Sequence, residues 1–174
     1  MGMLSEDMQR VVREQKLGFI ATVCPDGTPN LSPKGTTTVW DDDHLIFADI
    51  HSPGTIENLR HNPTIEINVV DPFVRKGYRF KGTATLLTAG PEFDRALAFY
   101  RQRGTVSPLR TIVMVEVVRA RPLISPAYDR DLSEDEVRAQ WMDHYDALHR
   151  AAAQLTVSAG ERSADDIPLS PPLP

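Results

Sequence analysis

A series of six short, strand-like segments separated by turn residues restricts the possible folds of this chain more than any other feature. The clearest segment alternates apolar Ile65, Ile67 and Val69 with polar residues, the period-two pattern of a strand that buries one face. Short strands that follow one another through tight turns pair as antiparallel hairpins. The sequence therefore predicts a mainly β (α+β) fold, a small six-stranded antiparallel barrel with flanking helices. The six segments span residues 17–23, 30–40, 44–50, 65–69, 78–88 and 111–118.

Turn and cap signals set the boundaries of these segments. Asp26-Gly27 tolerates positive φ and predicts a hairpin after the first segment. Residues 33–35, Pro-Lys-Gly, predict a break or bulge within the second segment. Helices are predicted over residues 4–16, from Ser52 to about residue 60, and from Pro91 onward, because caps or prolines precede apolar residues at helical spacing.

The chain divides by composition into a β-rich body and an acidic helical tail. Residues 1–128 contain 15 Lys or Arg and 14 Asp or Glu, a net charge of +1, whereas residues 129–174 contain 4 and 10, a net charge of −6. A Ser-x-x-Glu capping box begins at Ser133 ahead of an apolar stripe, so residues 129–160 are predicted to form a C-terminal helical extension. Residues 161–174 are proline-rich and are predicted to be flexible.

Composition also argues against several classes of protein. The net charge is −5 and no basic stripe is visible, which argues against nucleic-acid binding. The sequence contains neither a stretch of about 18 apolar residues nor a signal-peptide core, so no membrane association is predicted and a cytoplasmic location is expected. The single cysteine, Cys24, excludes an internal disulfide. Metal motifs and catalytic triads are not recognisable, so no metal is expected and no catalytic residue can be named.

The segment Ser52-Pro53-Gly54-Thr55 is the most informative local feature, because it joins the end of a strand to the start of a helix. The first N–H groups of a helix lack partners, and the helix dipole adds about half a positive charge there. Proline suits the first helical position, and glycine admits a bulky anion close to the backbone. The segment therefore indicates a site for a phosphate-sized anion, with plain helix capping as the alternative.

Two further segments carry cations that a site could use. Lys34 lies between Pro and Gly at the predicted strand break, from which it can turn into a cleft. The alternative is a solvated edge lysine beside threonines that simply favour strands. Residues 75–82 contain four cations, of which Arg79 and Lys81 share one face of the predicted strand. Protection of an edge strand is the alternative explanation for these charges.

The order of these motifs over residues 5–121 resembles that of the pyridoxamine 5′-phosphate oxidase-related, FMN-binding split-barrel family. The matching motifs are Phe19-Ile-Ala-Thr-Val, Pro25-Asp-Gly-Thr-Pro-Asn, Ser32-Pro-Lys-Gly, Leu45-Ile-Phe-Ala-Asp, Ser52-Pro-Gly-Thr, Asn58-Leu-Arg, Asn62-Pro and Lys76-Gly-Tyr-Arg-Phe-Lys-Gly. The resemblance implies a six-stranded antiparallel split barrel with FMN as cofactor. It also implies a homodimer with two flavin sites at the subunit interface.

The resemblance also implies which residues of this chain would bind FMN. The segment from Ser52 through Pro53 and Gly54 to Thr55 matches the phosphate-binding turn of the family. Vitamin B6 oxidases carry a basic pair in this turn, from which the Pro-Gly of this chain departs. The remaining matches are Asp49 and Ile50 beside the flavin; Lys34, Gly35, Thr36, Thr37 and Thr38 along the ring and ribityl chain; and, more loosely, Arg79 and Lys81 on a neighbouring strand.

Three functional hypotheses follow. The leading one is an FMN-dependent oxidoreductase that acts on an unidentified small substrate, with the flavin carrying the hydride chemistry. The second is a flavin-binding module without turnover, such as a store, sensor or electron carrier. The third is a split barrel that binds deazaflavin F420 or haem. A homodimer is also expected from the chain itself, because residues 111–118 are apolar on both faces and need a covering surface beyond one small core.

Overall fold

In the computed structural model, which describes residues 2–162, seven strands and four α-helices follow one another along the chain. The strands are β1 (Gly18–Val23), β2 (Pro29–Lys34), β3 (Thr38–Val39), β4 (His44–Asp49), β5 (Thr64–Asp71), β6 (Lys76–Leu87) and β7 (Thr111–Ile124). The helices are α1 (Glu6–Gln15), α2 (Pro53–His61), α3 (Pro91–Gln102) and α4 (Glu134–Arg162), with a 3₁₀ turn at Pro126–Arg130. All seven strands join one antiparallel, barrel-like sheet in the order β2-β1-β5-β6-β7-β4-β3.

The predicted β fold with flanking helices is confirmed, but the second predicted strand is divided in two. β2 pairs with β1 along six residue pairs, whereas β3 pairs with β4. Two threonine hydroxyls stabilise the break between them: Thr36 Oγ1 donates to Ala48 O at 3.0 Å and accepts from Ala48 N–H at 2.9 Å, and Thr37 Oγ1 donates to Lys34 O at 2.9 Å. Seven strands appear instead of six because the two halves of one segment have different neighbours.

β2 forms one edge of the sheet. Its prolines lie opposite residues of β1, with Pro33 opposite Phe19 and Pro29 opposite Val23. Phe19 and Leu31 lie on the outer face of this hairpin and are 41% and 66% exposed. Adjacent residues alternate between the outer and inner faces. Ile20 therefore points to the inner face, where it is fully buried.

Two apolar cores lie on the two faces of the sheet. The inner core contains Ile20 and Phe80 beneath residues of α1 and α2. The second core packs α3 against Ile112 and against the partly buried Met114 of β7. Because α3 of the same chain covers these two residues, the apolar character of both faces of β7 does not by itself require a second subunit. The homodimer therefore remains a prediction.

The turn at Asp41-Asp42-Asp43 attaches the N-terminal segment to the sheet. Asp41 Oδ1 accepts hydrogen bonds from the Asp43 and His44 N–H groups, at 2.9 and 2.8 Å, and lies 2.8 Å from His44 Nδ1. The Leu4 N–H donates to Asp42 O at 2.8 Å. Burial raises the pKa of the Asp41 carboxyl, but the hydrogen bonds from Asp43 and His44 outweigh it and hold that pKa below its ordinary value.

The chain divides into two compact units. The first is the sheet unit, which comprises Met1–Asp71 and Arg75–Ser125, and the second contains Pro72–Val74 and the chain from Pro126 onward. Within residues 2–162, none of the helices combines the length and the apolar composition that a bilayer span requires.

The second unit contains the predicted C-terminal helix. The predicted capping box is formed, since the Glu136 N–H donates to Ser133 Oγ at 3.3 Å and the Ser133 N–H donates to Glu136 Oε2 at 2.8 Å. α4 continues to Arg162, two residues beyond the predicted limit. The predicted flexible segment, residues 161–174, lies outside the described residues from residue 163 onward.

Candidate functional site

Lys34, the last residue of β2, has a buried ammonium group. It shares its face of the strand with Ser32, which lies opposite the core residue Ile20, so its side chain points to the inner face. Lys34 is 5% exposed, and its Nζ donates to Ser32 Oγ at 2.5 Å and to Ser52 Oγ at 2.7 Å. Within the part of the chain that the structure describes, Lys34 forms no ion pair. Burial lowers the pKa of this ammonium, and the nearby charge of Asp49 opposes that shift.

The start of α2 lies directly beside this ammonium. Asp49 Oδ1 accepts a hydrogen bond from the Ser52 N–H at 2.8 Å and shapes the turn into the helix. The Ser52 hydroxyl does not cap α2, so plain capping does not explain why a serine stands there. Pro53 occupies the first helical position, as predicted. A Cβ at Gly54 would meet nothing within 4 Å, so this position faces open space, whereas Thr55 is buried.

A cavity of about 410 Å³ opens at this turn. Its lining brings together four residues that the family resemblance singled out, Asp49, Ile50, Ser52 and Pro53, with three others, His51, Pro108 and Arg110. Arg110 is a cation that the sequence reasoning missed. The register explains its position, because Asp49 at the end of β4 pairs with Thr111 at the start of β7. The sequence does show that Arg110 directly precedes β7, the most apolar strand. That Arg110 lies near Asp49 could be identified only from the pairing of β4 with β7.

The other predicted segment, from Gly35 to Thr38, lines a second cavity of about 590 Å³. Three cations also line this cavity, Arg13, Lys16 and Arg103, and none of its lining residues is an Asp or Glu. The hydroxyls of Thr36 and Thr37 already form hydrogen bonds at the strand break. The remaining lining residues are Val39, Trp40, Phe99, Tyr100 and Thr105.

Aromatic rings form one wall of the second cavity. Trp40 meets Phe99 edge-on with ring centroids 5.6 Å apart, and the Arg103 guanidinium carbon lies 3.5 Å from the Phe99 centroid. The Tyr100 hydroxyl donates to Thr36 O at 2.9 Å and thereby connects α3 to the strand break. Burial raises the pKa of Tyr100, so its hydroxyl stays protonated and remains a donor at physiological pH. The cavity thus combines a flat apolar wall with local positive charge.

Arg79 and Lys81 are not brought together with the other predicted residues in one chain. They lie on the outer face of β6, since the intervening Phe80 is fully buried in the inner core. Arg79 Nε instead contacts Glu66 Oε1 at 3.1 Å. β6 pairs with β5 on one side and β7 on the other, so edge-strand protection is the wrong explanation for these cations.

Comparisons with known proteins agree with this fold and with the order of these motifs. HupZ of Group A Streptococcus is 32% identical with a TM-score of 0.64, over 71% of this chain and 96% of HupZ. An FMN-binding protein from Syntrophomonas wolfei is 20% identical with a TM-score of 0.58, over 68% of this chain and 85% of that protein, and this likeness concerns the fold alone. An uncharacterized protein of Methanocaldococcus jannaschii is 29% identical over 102 residues, or 54% of this chain and 67% of that protein.

The family model for pyridoxamine 5′-phosphate oxidase matches residues 4–124, which include all seven strands and both cavities. This range contains every residue that the resemblance assigned to FMN and ends just before Pro126, where the C-terminal part of the second unit begins. The chain therefore belongs to the pyridoxamine 5′-phosphate oxidase family.

Proposed function

We propose that this protein is an FMN-dependent oxidoreductase that holds the flavin phosphate at the start of α2. The observation that carries the proposal is the Lys34 ammonium, which is 5% exposed and, among the described residues, hydrogen-bonds only to the hydroxyls of Ser32 and Ser52. A buried charge is costly unless an opposite charge compensates it. An anion between Lys34 and the helix start would provide that charge where the helix dipole also favours it.

The residues present at the turn fit a phosphate monoester. Lys34 Nζ, the Ser52 hydroxyl and the Gly54 N–H can donate to phosphate oxygens, and the open space at Gly54 leaves room for them. Arg110, on the wall of the cavity that Ser52 and Pro53 also line, adds a second cation. In this arrangement, Lys34 and Arg110 replace the basic pair that vitamin B6 oxidases carry in the turn itself. Asp49 positions the Ser52 backbone and contributes no donor.

The segment from Gly35 to Thr38 would border the flavin ring at the second cavity, and the rest of that cavity would admit the substrate. Its volume of about 590 Å³ is typical of small-molecule sites. When bound, FMN supplies the hydride chemistry, so the protein needs mainly to bind and orient the reactants. Arg13, Lys16 and Arg103 would attract and orient a substrate with an anionic group, while the Trp40 and Phe99 rings exclude water from it.

We also propose a homodimer, formed through the outer face of the β1–β2 hairpin. Phe19 and Leu31 are large apolar residues exposed on that face. Burying their area against a second copy would be favourable, at about 25 cal/mol per Å² of apolar surface. In such a dimer, Arg79 and Lys81 could contact a flavin only if that flavin were bound at the site of the partner subunit. The cytoplasmic location expected from the sequence also stays a prediction.

The first experiment is the absorption spectrum of the purified protein, followed by titration of the cofactor-free protein with FMN and with riboflavin. Flavin absorbs at about 450 nm, F420 at about 420 nm, and haem gives a Soret band. We expect FMN to bind much more tightly than riboflavin, because only FMN carries the phosphate. A protein that binds F420 or haem instead, or that binds both flavins equally, would contradict the proposed site. Oxidation of NAD(P)H by the FMN-loaded protein then separates an enzyme from a flavin store or carrier.

A further inference from the structure

The outer face of the sheet carries two directly opposed pairs of cations. In the register of β6 and β7, Arg79 lies opposite Arg121 and Lys81 lies opposite Arg119. Residues directly opposite each other have Cβ atoms about 5 Å apart, and the two pairs follow each other about 7 Å along the strands. Arg79, Arg119 and Arg121 are exposed and Lys81 is partly so. We call these four residues the outer basic cluster.

The negative charge around the outer basic cluster does not balance it. Glu66, opposite Lys81 on β5, forms an ion pair with Arg79, and Asn68 lies opposite Arg79. Glu116 is on the next row of the same face, opposite Thr83, and makes no ion pair in the described part of the chain. Lys81, Arg119 and Arg121 likewise have no ion pair within residues 2–154.

The fold does not require these charges, and edge protection does not account for the two on β6. Like charges directly opposite each other destabilise a sheet, and here two such pairs are adjacent. Arg79 and Lys81 are paired on both sides, with β5 and with β7, so they have no free edge to protect, whereas β4 pairs with β7 only as far as Glu116. Arg119 and Arg121 therefore lie on a stretch of β7 that pairs with β6 alone. A β-bulge between Lys81 and Gly82 fixes the alignment of Lys81 with Arg119. Gly82 makes that bulge possible, because a Cβ there would come within 2.2 Å of Glu116 O.

We propose that the outer basic cluster binds a small molecule through two or more linked phosphate groups, at a site separate from the α2 turn. Guanidinium groups match phosphate oxygens in bidentate geometry, and three of the four residues are arginines. The two pairs are about 7 Å apart along the strands, so a chain of linked phosphates can contact both pairs more readily than a single phosphate can. The cluster is on the face of the sheet opposite to Lys34, so its ligand is not the FMN of the same chain.

The test uses the full-length, cofactor-loaded protein titrated at low salt with phosphate, pyrophosphate and tripolyphosphate. We expect affinity to rise with the number of linked phosphates. The double variant Arg119→Gln/Arg121→Gln should lose about tenfold or more of its tripolyphosphate affinity, because two charge-assisted contacts disappear. Without anion, its melting temperature should stay equal to that of the wild type or rise, since the repulsion is relieved. The control Arg60→Gln/Arg150→Gln removes the same charge from exposed helix positions and should leave tripolyphosphate affinity within about twofold of the wild type.

Three results would overturn the proposal. The first is tripolyphosphate binding no tighter than phosphate, and the second is an equal loss in the control variant, which would indicate general charge attraction. The third is a loss of FMN affinity or of dimerisation in Arg119→Gln/Arg121→Gln. Such a loss would mean that the outer basic cluster binds a flavin or contacts a second subunit. Because FMN affinity is measured in the same variants, failure of this proposal is distinguishable from failure of the proposed flavin site.

Discussion

Replacing the buried ammonium by an apolar side chain of similar length, Lys34→Met, tests the phosphate site directly. The substitution removes a charged donor that hydrogen-bonds to Ser32 and Ser52 and has no ion-pair partner in the part of the chain that the structure describes. A hydrogen bond to a charged group contributes about 1.5–3 kcal/mol, so FMN affinity should fall about 10- to 150-fold. Riboflavin lacks the phosphate, and its weaker binding should therefore change less than about twofold.

The stability of the cofactor-free variant separates binding from folding. Exchange of a buried charged group for an apolar side chain of similar size is often neutral or stabilising, so the melting temperature of Lys34→Met should be equal to that of the wild type or higher. Burial lowers the pKa of Lys34 in the folded state, so the unfolded chain binds more protons as pH approaches the ordinary value of 10.5. The stability deficit of the wild type relative to the variant should consequently be complete below the lowered pKa and shrink as pH rises through it toward 10.5.

Fluorescence quenching of FMN and riboflavin gives both affinities, and thermal denaturation gives the stability. Equal losses for the two flavins would refute the reasoning, because they would show that Lys34 supports the ring or the fold rather than the phosphate. An unchanged FMN affinity would refute it as well. A large drop in melting temperature without ligand would mean that the ammonium is already well compensated in the folded protein.

Four further outcomes are expected. Gly54→Asp should lower the affinity for FMN at least about tenfold, because a carboxylate at the open turn repels the phosphate. The affinity for riboflavin should not change in the same titrations. Gly82→Ala should destabilise by about 2 kcal/mol or more in urea denaturation, since its Cβ meets Glu116 O, whereas Gly54→Ala should be close to neutral. Asp41→Asn should make the melting temperature fall less steeply as pH is lowered into the acid range. Because the pKa of Asp41 is lowered in the folded state, its ionised carboxylate stabilises the fold above pH 3.8, and this contribution disappears as pH falls through the lowered pKa. An unchanged dependence of the melting temperature on acid pH would count against the hydrogen bonds of this turn. Phe19→Glu should shift light scattering toward the monomer mass of 19.4 kDa, and a wild-type protein already at that mass would rule out the dimer.

The sequence predicted most elements of this fold because their signals are local. Hairpin glycines, helix caps and alternating apolar residues specify the strands and helices within a few residues of chain. Such signals also located the break at Lys34, but they did not show which strands its two halves would pair with. Whether the two halves of a broken strand keep one neighbour or take two depends on residues far along the chain, so the seventh strand was not predictable from the local pattern.

The same limit applies to the site. The α2 turn was predictable because its proline and glycine have distinct backbone properties, and the family resemblance pointed to the same residues. Arg110 was missed because its position depends on the pairing of Asp49 with Thr111. The cations of β6 were open to an edge-strand explanation for the same reason, since only the sheet order shows that β6 is interior.

The prolines of β2 have a consequence for how copies of this protein can associate. Alternate residues of a strand direct their N–H groups to the same side, and Pro29, Leu31 and Pro33 form one such set. The six-pair ladder with β1 is intact, so the missing N–H groups belong to the open side of β2. A further strand added there would find one donor where an uninterrupted edge offers three. This edge is therefore a poor template for aggregation or for a sheet continued between subunits, and two copies are expected to meet through the faces of their sheets rather than along β2.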